Sequence, residues 1–322
     1  MRIYLRGIDL AISEKVDLAT KGRAEHSISV IVVNYNAGPL LVECIKSVFG
    51  QCDEVIVVDN ASSDASLLLL EQDLAVKPFL RVIRNEKNLG FAAACNIGAS
   101  YAASQYLLFL NPDCLLDPGA ATKLLEALNS DTNVGMVGGL LVNPDGTEQG
   151  GGRRAIPTPG LALIRALGLS YFARRYPRLF SDFHLHNQPL PERPIEVEAI
   201  SGACMLVPKS IIEEIGLWDE GYFLHCEDLD WCLRLTRANK KILFVPDARI
   251  LHYKGVCSHD RPIFVEWHKH KGMMRFYRKF FQNDYPGALM WLIEGGVWLR
   301  FMFVAIYFSA RDANRFLRSL RD

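Results

Sequence analysis

SISVIVVNYN, residues 27–36, is a short β-branched run that stops abruptly at Asn34, Tyr35 and Asn36. A continuous apolar run of this length, bounded by turn formers, reads as a strand buried on both faces, as in a parallel sheet. The pattern returns in EVIVVDNASSD (54–64), LRVIRN (80–85) and LLFLNPDC (107–114). Between these runs, PLLVECIKSVFG (39–50), a segment around 65–76 and FAAACNIGASYAAS (91–104) carry apolar residues at helical spacing. Strands alternating with helices at this rhythm predict βαβ units with right-handed crossovers. In such sheets ligands bind beyond the carboxyl ends of the strands. Four successive strand ends here are polar: NYN, DN, RN and NPD. Any one of them is ordinary turn chemistry. Four on one edge of one sheet point to a site.

The bulk numbers exclude several classes. The chain has 322 residues, half of them hydrophobic, which argues against disorder. Its 36 basic and 36 acidic residues cancel, so no overall field draws in nucleic acid. Eight cysteines, from Cys44 to Cys257, show no CxxC pair or zinc-type spacing and read as reduced thiols of a cytoplasmic protein. Residues 1–26 form a polar leader without the apolar stretch of a secretory signal.

From about 140 to 198 the character changes. NPDGTEQGGGRRAIPTPG (143–160) is Gly/Pro-rich, and the stretch beyond it is aromatic and basic; a lid or acceptor-side insertion and a surface excursion both fit. HCEDLDWCLRL (225–235) sets Glu227, Asp228 and Asp230 within one turn. Acids in a first helical turn are favoured by the dipole. Three flanked by Phe223, Leu224 and Trp231 exceed what a cap requires, and apolar surroundings raise a carboxylate toward the range of a general base. His252 closes another strand-like run. With Asp113 it makes a hard-cation site of carboxylate, imidazole and substrate phosphate oxygens chemically reasonable.

SVIVVNYN, EVIVVDNASSD, NLGFAAACNIG, LLFLNPD and GLWDEGYFLHCEDLDWCLRL, in this order and spacing, resemble the family-2 inverting glycosyltransferases of the GT-A fold, and most of all their bacterial rhamnosyltransferase-like members. The resemblance covers roughly 27–258 and implies an α/β fold: a Rossmann-like mixed sheet with helices on both faces in a catalytic domain of 27–260, followed by a helical extension. It also implies a nucleotide and donor pocket from Tyr35, Asn36, Asp59, Asn60, Asn88, Gly90, Asn96 and Asn111, with Asp59 accepting from the base. Asp113 matches the last acid of the family's DXD-type element for Mg²⁺ or Mn²⁺; the element here reads Asn111-Pro112-Asp113, so His252 is expected to assist. Asp228 matches the catalytic base, with Glu227 beside it, and Trp218, Trp231 and Gly202 fall on the acceptor side. The implied reaction is one in-line displacement from a nucleoside diphosphate sugar, dTDP-rhamnose or a UDP-sugar, to a glycan or lipid-linked acceptor. The Gln-x-x-Arg-Trp element of processive members is not found, which suggests one sugar per encounter. A sugar nucleotidyltransferase is the rival enzyme class, but NYNAGPLLVECIKS is a poor match to its phosphate loop. A non-catalytic nucleotide-sugar-binding scaffold is the third reading.

The tail, 261–322, is basic and aromatic. ALMWLIEGGVWLRFMFVAIYF (288–308) nearly has the length of a membrane span, but Glu294 and Arg300 interrupt it. Amphipathic helices on a bilayer surface fit better; a helical hairpin packed on the catalytic domain or on a second subunit is the alternative. The expected location is cytoplasmic, peripheral on the inner face of the membrane if the tail binds lipid.

Overall fold

The computed structural model describes residues 27–74, 80–161, 185–255 and 261–319. The leader and much of the aromatic, basic insertion lie outside the described residues. Strands β1 (Ile28–Asn34), β2 (Glu54–Asp59), β3 (Leu80–Arg84) and β4 (Tyr106–Leu110) are parallel neighbours in the order β3-β2-β1-β4. Helices α1 (Leu40–Val48), α2 (Ser66–Leu74) and α3 (Phe91–Tyr101) make the crossovers. Every residue of β1 is buried, because helices cover both faces of the sheet. Ile31 and Val33 enter one core layer, and Ile28, Val30 and Val32 the other.

Beyond β4 the sheet becomes mixed. After β5 (Cys114–Leu116), α4 (Ala120–Leu128), β6 (Val134–Val142), β7 (Arg153–Arg154), β8 (Ile195–Glu196) and β9 (Ala199–Ile200), strand β10 (Cys204–Pro208) inserts antiparallel between β4 and β6. Helices α5 (Lys209–Ile215) and α6 (Glu227–Arg237) precede β11 (Lys241–His252), which runs parallel to β6 and antiparallel to β5 and β8. β7 and β9 form a small separate sheet. The full order β3-β2-β1-β4-β10-β6-β11-β5 puts the chain's crossing from β4 to β5, Asn111 to Asp113, between the centre and the edge of the sheet.

Two long helices finish the described chain, α7 (Pro262–Phe281) and α8 (Gly287–Ser319). α7 buries Phe276, Tyr277, Phe280 and Phe281 in one core layer. It is also clamped by charge: Lys279 Nζ lies 2.6 Å from both Asp219 Oδ2 and Asp230 Oδ2, and Arg275 reaches Asp219 Oδ1 at 2.8 Å. Asp230 is fully buried and also accepts from Arg234 Nε at 2.7 Å. α8 folds back on α7 as an antiparallel partner, through Trp267 against Trp298 and Arg278 paired with Glu294.

Removing one member of a buried ion network leaves the others uncompensated. Asp230→Ala is expected to lower unfolding stability by about 3 kcal/mol, measured by urea denaturation; an unchanged midpoint would count against this clamp.

Candidate active site

The first two strand ends are tied to each other. Asp59 is buried; its Oδ1 accepts from Asn34 Nδ2 at 2.8 Å and its Oδ2 from the Ser62 amide at 3.2 Å. Asn36 sits in the left-handed region (φ 55°), a conformation asparagine tolerates better than most residues. There its Oδ1 accepts from the Ser63 amide, and its own amide donates to Ser62 Oγ. Tyr35, between them, is half-buried at the strand mouth.

Several residues expected to meet the donor prove to be committed to the protein itself. Asn60 donates to Asn88 Oδ1 and the Gly90 carbonyl, and accepts from Asn85 Nδ2 and the Leu89 amide. All its hydrogen-bonding capacity goes into shaping the 85–90 loop. Asn88 Oδ1 accepts from Asn60 and from the Gly90 amide. Gly90 has φ 89°, and a side chain there would meet the Phe223 carbonyl oxygen at 2.7 Å, so the position requires glycine. Asn96 locks a second loop by donating to the Trp218 carbonyl and Glu220 and accepting from the Trp218 amide. These four residues build the walls around the strand ends.

Beyond the fourth strand end the structure brings the two candidate cation ligands together. β5 pairs with the end of β11 so that Cys114 lies opposite His252, and the Asp113 carbonyl accepts from the Tyr253 amide at 2.9 Å. His252 Nε2 stands 3.3 Å from Asp113 Oδ1. Asp113 Oδ1 is buried and has no hydrogen-bond partner among the described residues, a costly state for a carboxylate oxygen. An orphaned oxygen beside an imidazole nitrogen is the donor set a divalent cation takes, so these residues fit Mg²⁺ or Mn²⁺. The Cys114 thiol lies in the same cluster. Burial, then the Asp113 carboxylate, pushes it well up, so it offers no thiolate to a hard cation.

The acids of 227–230 have three different fates. Asp230 faces the ion network under α7. Glu227 is buried in the first turn of α6; burial, reinforced by the charge of Asp228, pushes its carboxyl up to about 8. Asp228 is partly exposed. Its Oδ2 accepts from the Gly202 amide at 3.2 Å and pairs with the Arg154 guanidinium. Directly before them His225 and Cys226 both have positive φ, 68° and 70°, a strained approach that concentrates at functional sites.

The two halves share one hinge of backbone. The Asn111 amide donates to the Ala203 carbonyl at 2.9 Å; Asp113 lies two residues beyond Asn111, and Gly202, next to Ala203, holds Asp228. Trp218 lies under this junction, its ring 3.8 Å from where a Gly202 side chain would stand, and edge-on to Phe109 at 5.3 Å. Trp231 departs from its expected place on the acceptor side. Its ring is fully buried against Trp218 and Phe109, with Nε1 bonded to the Gly216 carbonyl, so it supports the site from beneath.

The sequence reading missed Arg154 and Gln149, both in the Gly/Pro-rich segment. Arg154 reaches Asp228, and Gln149 bonds His252. The adjacent Arg153-Arg154 pair after three glycines was the only signal, and it does not say which arginine faces the site. Arg153 faces away, forked onto Glu148 at 2.8 and 3.1 Å.

The model of glycosyl transferase family 2 matches residues 29–216. The chain belongs to that family. As a family-2 glycosyltransferase it is 27% identical over 287 residues to the N-acetylglucosaminyl-diphospho-decaprenol L-rhamnosyltransferase of Mycobacterium tuberculosis, covering 84% of this chain and 90% of the relative. It is 28% identical over 237 residues to rhamnosyltransferase WbbL of Escherichia coli, covering 67% and 78%. Among solved structures, GalNAc-T7 with UDP, GalNAc and Mn²⁺ superposes with a TM-score of 0.53 at 21% identity, over 70% of this chain and 43% of the other. The mannosyltransferase PcManGT of Pyrobaculum calidifontis, with GDP-Man and Mn²⁺, gives 0.52 at 15% identity, over 89% and 75%. The fold of this glycosyltransferase is therefore GT-A.

Because Glu227 ionises with more difficulty in the folded state (about 8) than its ordinary 4.5, it contributes stability that is full below pH 4.5 and is lost as pH rises through about 8. The melting temperature is expected to fall between pH 6 and pH 9 more in the native protein than in Glu227→Gln, read by scanning calorimetry. Parallel curves would refute the assignment.

Proposed function

We propose that this glycosyltransferase moves one sugar, rhamnose in the first instance, from a nucleoside diphosphate to a hydroxyl of a lipid-linked or envelope glycan, with inversion. The observation that carries the reading is the juxtaposition just described: a cation-type pair, Asp113 and His252, and a part-exposed carboxylate, Asp228, on either side of one backbone hydrogen bond. The names of the Mycobacterium tuberculosis and Escherichia coli relatives support rhamnose as donor sugar, and the former supports a diphospholipid-borne acceptor.

In this reading Asp113 and His252 hold Mg²⁺ or Mn²⁺, which supplies Lewis-acid charge for the departing diphosphate. Tyr35, Asn36 and Asp59 border the base and ribose at the first two strand ends. Asp228 takes the proton from the acceptor hydroxyl as that oxygen attacks the anomeric carbon. Gly202 and Arg154 fix the direction of its carboxylate, and Trp218, buried beneath Gly202, supports that wall from below. Glu227, kept uncharged by burial, lets Asp228 stand as the one charged member of its pair.

Asp228→Asn is expected to lower kcat by about 10²- to 10⁴-fold while leaving nucleoside diphosphate affinity near native, measured by product release beside calorimetric titration. A panel of dTDP-rhamnose and UDP-hexoses with and without Mn²⁺ names the donor; if one binds and none turns over, the scaffold reading takes the place of this one, and if none binds, both fall.

We further infer that α8 rests on the inner face of the cell membrane. Along Gly287–Ala313 the helix is long and apolar enough to cross a bilayer and is mostly unburied. Its two interrupting charges turn back to α7: Glu294 pairs with Arg278, and Arg300 contacts His270 Nε2 at 3.0 Å. What remains outward is an uncharged stripe of Trp291, Leu292, Leu299, Phe303, Ile306 and Tyr307, with Trp291 81% exposed. Basic Arg311, Arg315 and Arg318 follow it in the sequence, the flank that anionic headgroups attract. Free cysteines throughout the described chain suit a reducing cytoplasmic setting. The protein is expected to sediment with phosphatidylglycerol-containing vesicles and to remain in the supernatant once Leu299 and Phe303 are both changed to Ser. A native protein that ignores vesicles but dimerises through this stripe would replace the membrane by a second copy.

A further inference from the structure

Gln149 sits in the segment between β6 and β7, is 4% exposed, and has its side-chain amide engaged at both ends. Nε2 donates to Asn143 Oδ1 at 2.9 Å and to the His252 main-chain carbonyl at 3.2 Å, while Oε1 lies 2.6 Å from His252 Nδ1. The direction of every bond in this group is dictated from its far end. The Asp145 carboxylate can only accept, and it accepts from Thr147 Oγ1 at 2.6 Å. The Thr147 hydroxyl, its proton used, receives Asn143 Nδ2 at 3.0 Å. Asn143 must then present Oδ1, which receives Gln149 Nε2. The His252 carbonyl, an obligate acceptor, demands the same orientation of the Gln149 amide. Gln149 therefore turns its oxygen to the ring, and His252 Nδ1 must carry the proton.

The consequence falls on the other side of the imidazole. With the proton on Nδ1, neutral His252 presents Nε2 as a bare lone pair, 3.3 Å from the orphaned Asp113 Oδ1. Two acceptors held face to face repel unless a cation lies with them. We propose that Gln149, directed by the Asp145–Thr147–Asn143 chain, is the positioning residue that fixes the tautomer of His252 and so makes Asp113 and His252 a divalent-cation pincer rather than a histidine–carboxylate hydrogen bond. This rests on the metal reading above. It adds to it a supporting residue that acts only through the ring, as partners of metal-bound histidines do.

The first measurement needs no metal: long-range ¹⁵N–¹H spectra of ¹⁵N-histidine-labelled full chain above the histidine titration range. The expected pattern for His252 is protonated Nδ1 and unprotonated Nε2, and the opposite tautomer overturns the proposal even if every variant misfolds. The second is Mn²⁺ binding without nucleotide, followed by electron paramagnetic resonance. Gln149→Leu is expected to weaken Mn²⁺ by about 10- to 100-fold. Gln149→Glu, which still accepts from Nδ1 though it loses its donation to Asn143 and to the His252 carbonyl, is expected to retain clearly more affinity than Gln149→Leu. A merely structural glutamine would be damaged at least as much by the buried carboxylate as by leucine, so equal loss in both variants overturns the proposal. Full affinity in Gln149→Leu removes the role of Gln149 alone; native protein that binds no Mn²⁺ removes the metal site and the role together.

Discussion

One main-chain hydrogen bond, from the Asn111 amide to the Ala203 carbonyl, holds the two chemical halves of this enzyme in one place. It exists because β10 inserts antiparallel beside β4, with Cys204 opposite Leu110, so that two turns meet at the same level of the sheet. One turn runs on to Asp113 and thence to β5; the other carries Gly202. A purely parallel arrangement would put both turns at a distance, since parallel neighbours need a long crossover. The reversal of one strand thus brings the turn that carries Asp113 and the turn that holds Asp228 to one end of the sheet.

The residues around this junction divide by whether their polar groups are already satisfied. Asn60, Asn88 and Asn96 spend theirs on loops, and Asp230 on two cations, Arg234 and Lys279. Asp113 Oδ1, Glu227 Oε2 and Asn34 Oδ1 are buried without a partner among the described residues. Buried unsatisfied groups are rare in native proteins; two of these lie at strand ends and the third beside Asp228. That contrast separates scaffold from site better than residue type does, because asparagine appears on both sides of it.

Much of the architecture was legible from residues 27–113, because buried parallel strands write themselves as unbroken β-branched runs. The family likeness covered the mixed portion, which local patterns do not reveal: nothing in CMLVP says that it runs opposite to YLLFL. Asp113, His252 and Asp228 stood out as candidates because strand ends and acidic helix starts are visible in a linear chain. Gln149 and Arg154 were not, because their roles come from contacts spanning 103 and 74 residues, made by a loop with no periodicity. Trp231 was misplaced for the converse reason. On α6 it stands one turn beyond Asp228, but its ring is packed against Phe109 and Trp218 and wholly buried, which no local pattern reveals.

The clamp of Lys279 between Asp219 and Asp230 bears on modularity. Asp219 adjoins Trp218 in the loop beneath the site, and Asp230 lies on the same helix as Asp228, so the ions that seat α7 belong to the same structure that shapes the catalytic groove. A chain ending near residue 260 would strip the cation from a fully buried carboxylate and uncover the aromatic face of α7's bed. Such a fragment would lose its active-site loop along with its tail. The helical extension is therefore no detachable anchor: α7 shares its ion network with the helix that carries Asp228, and α8 adds Met290 and Ile293 to the same core.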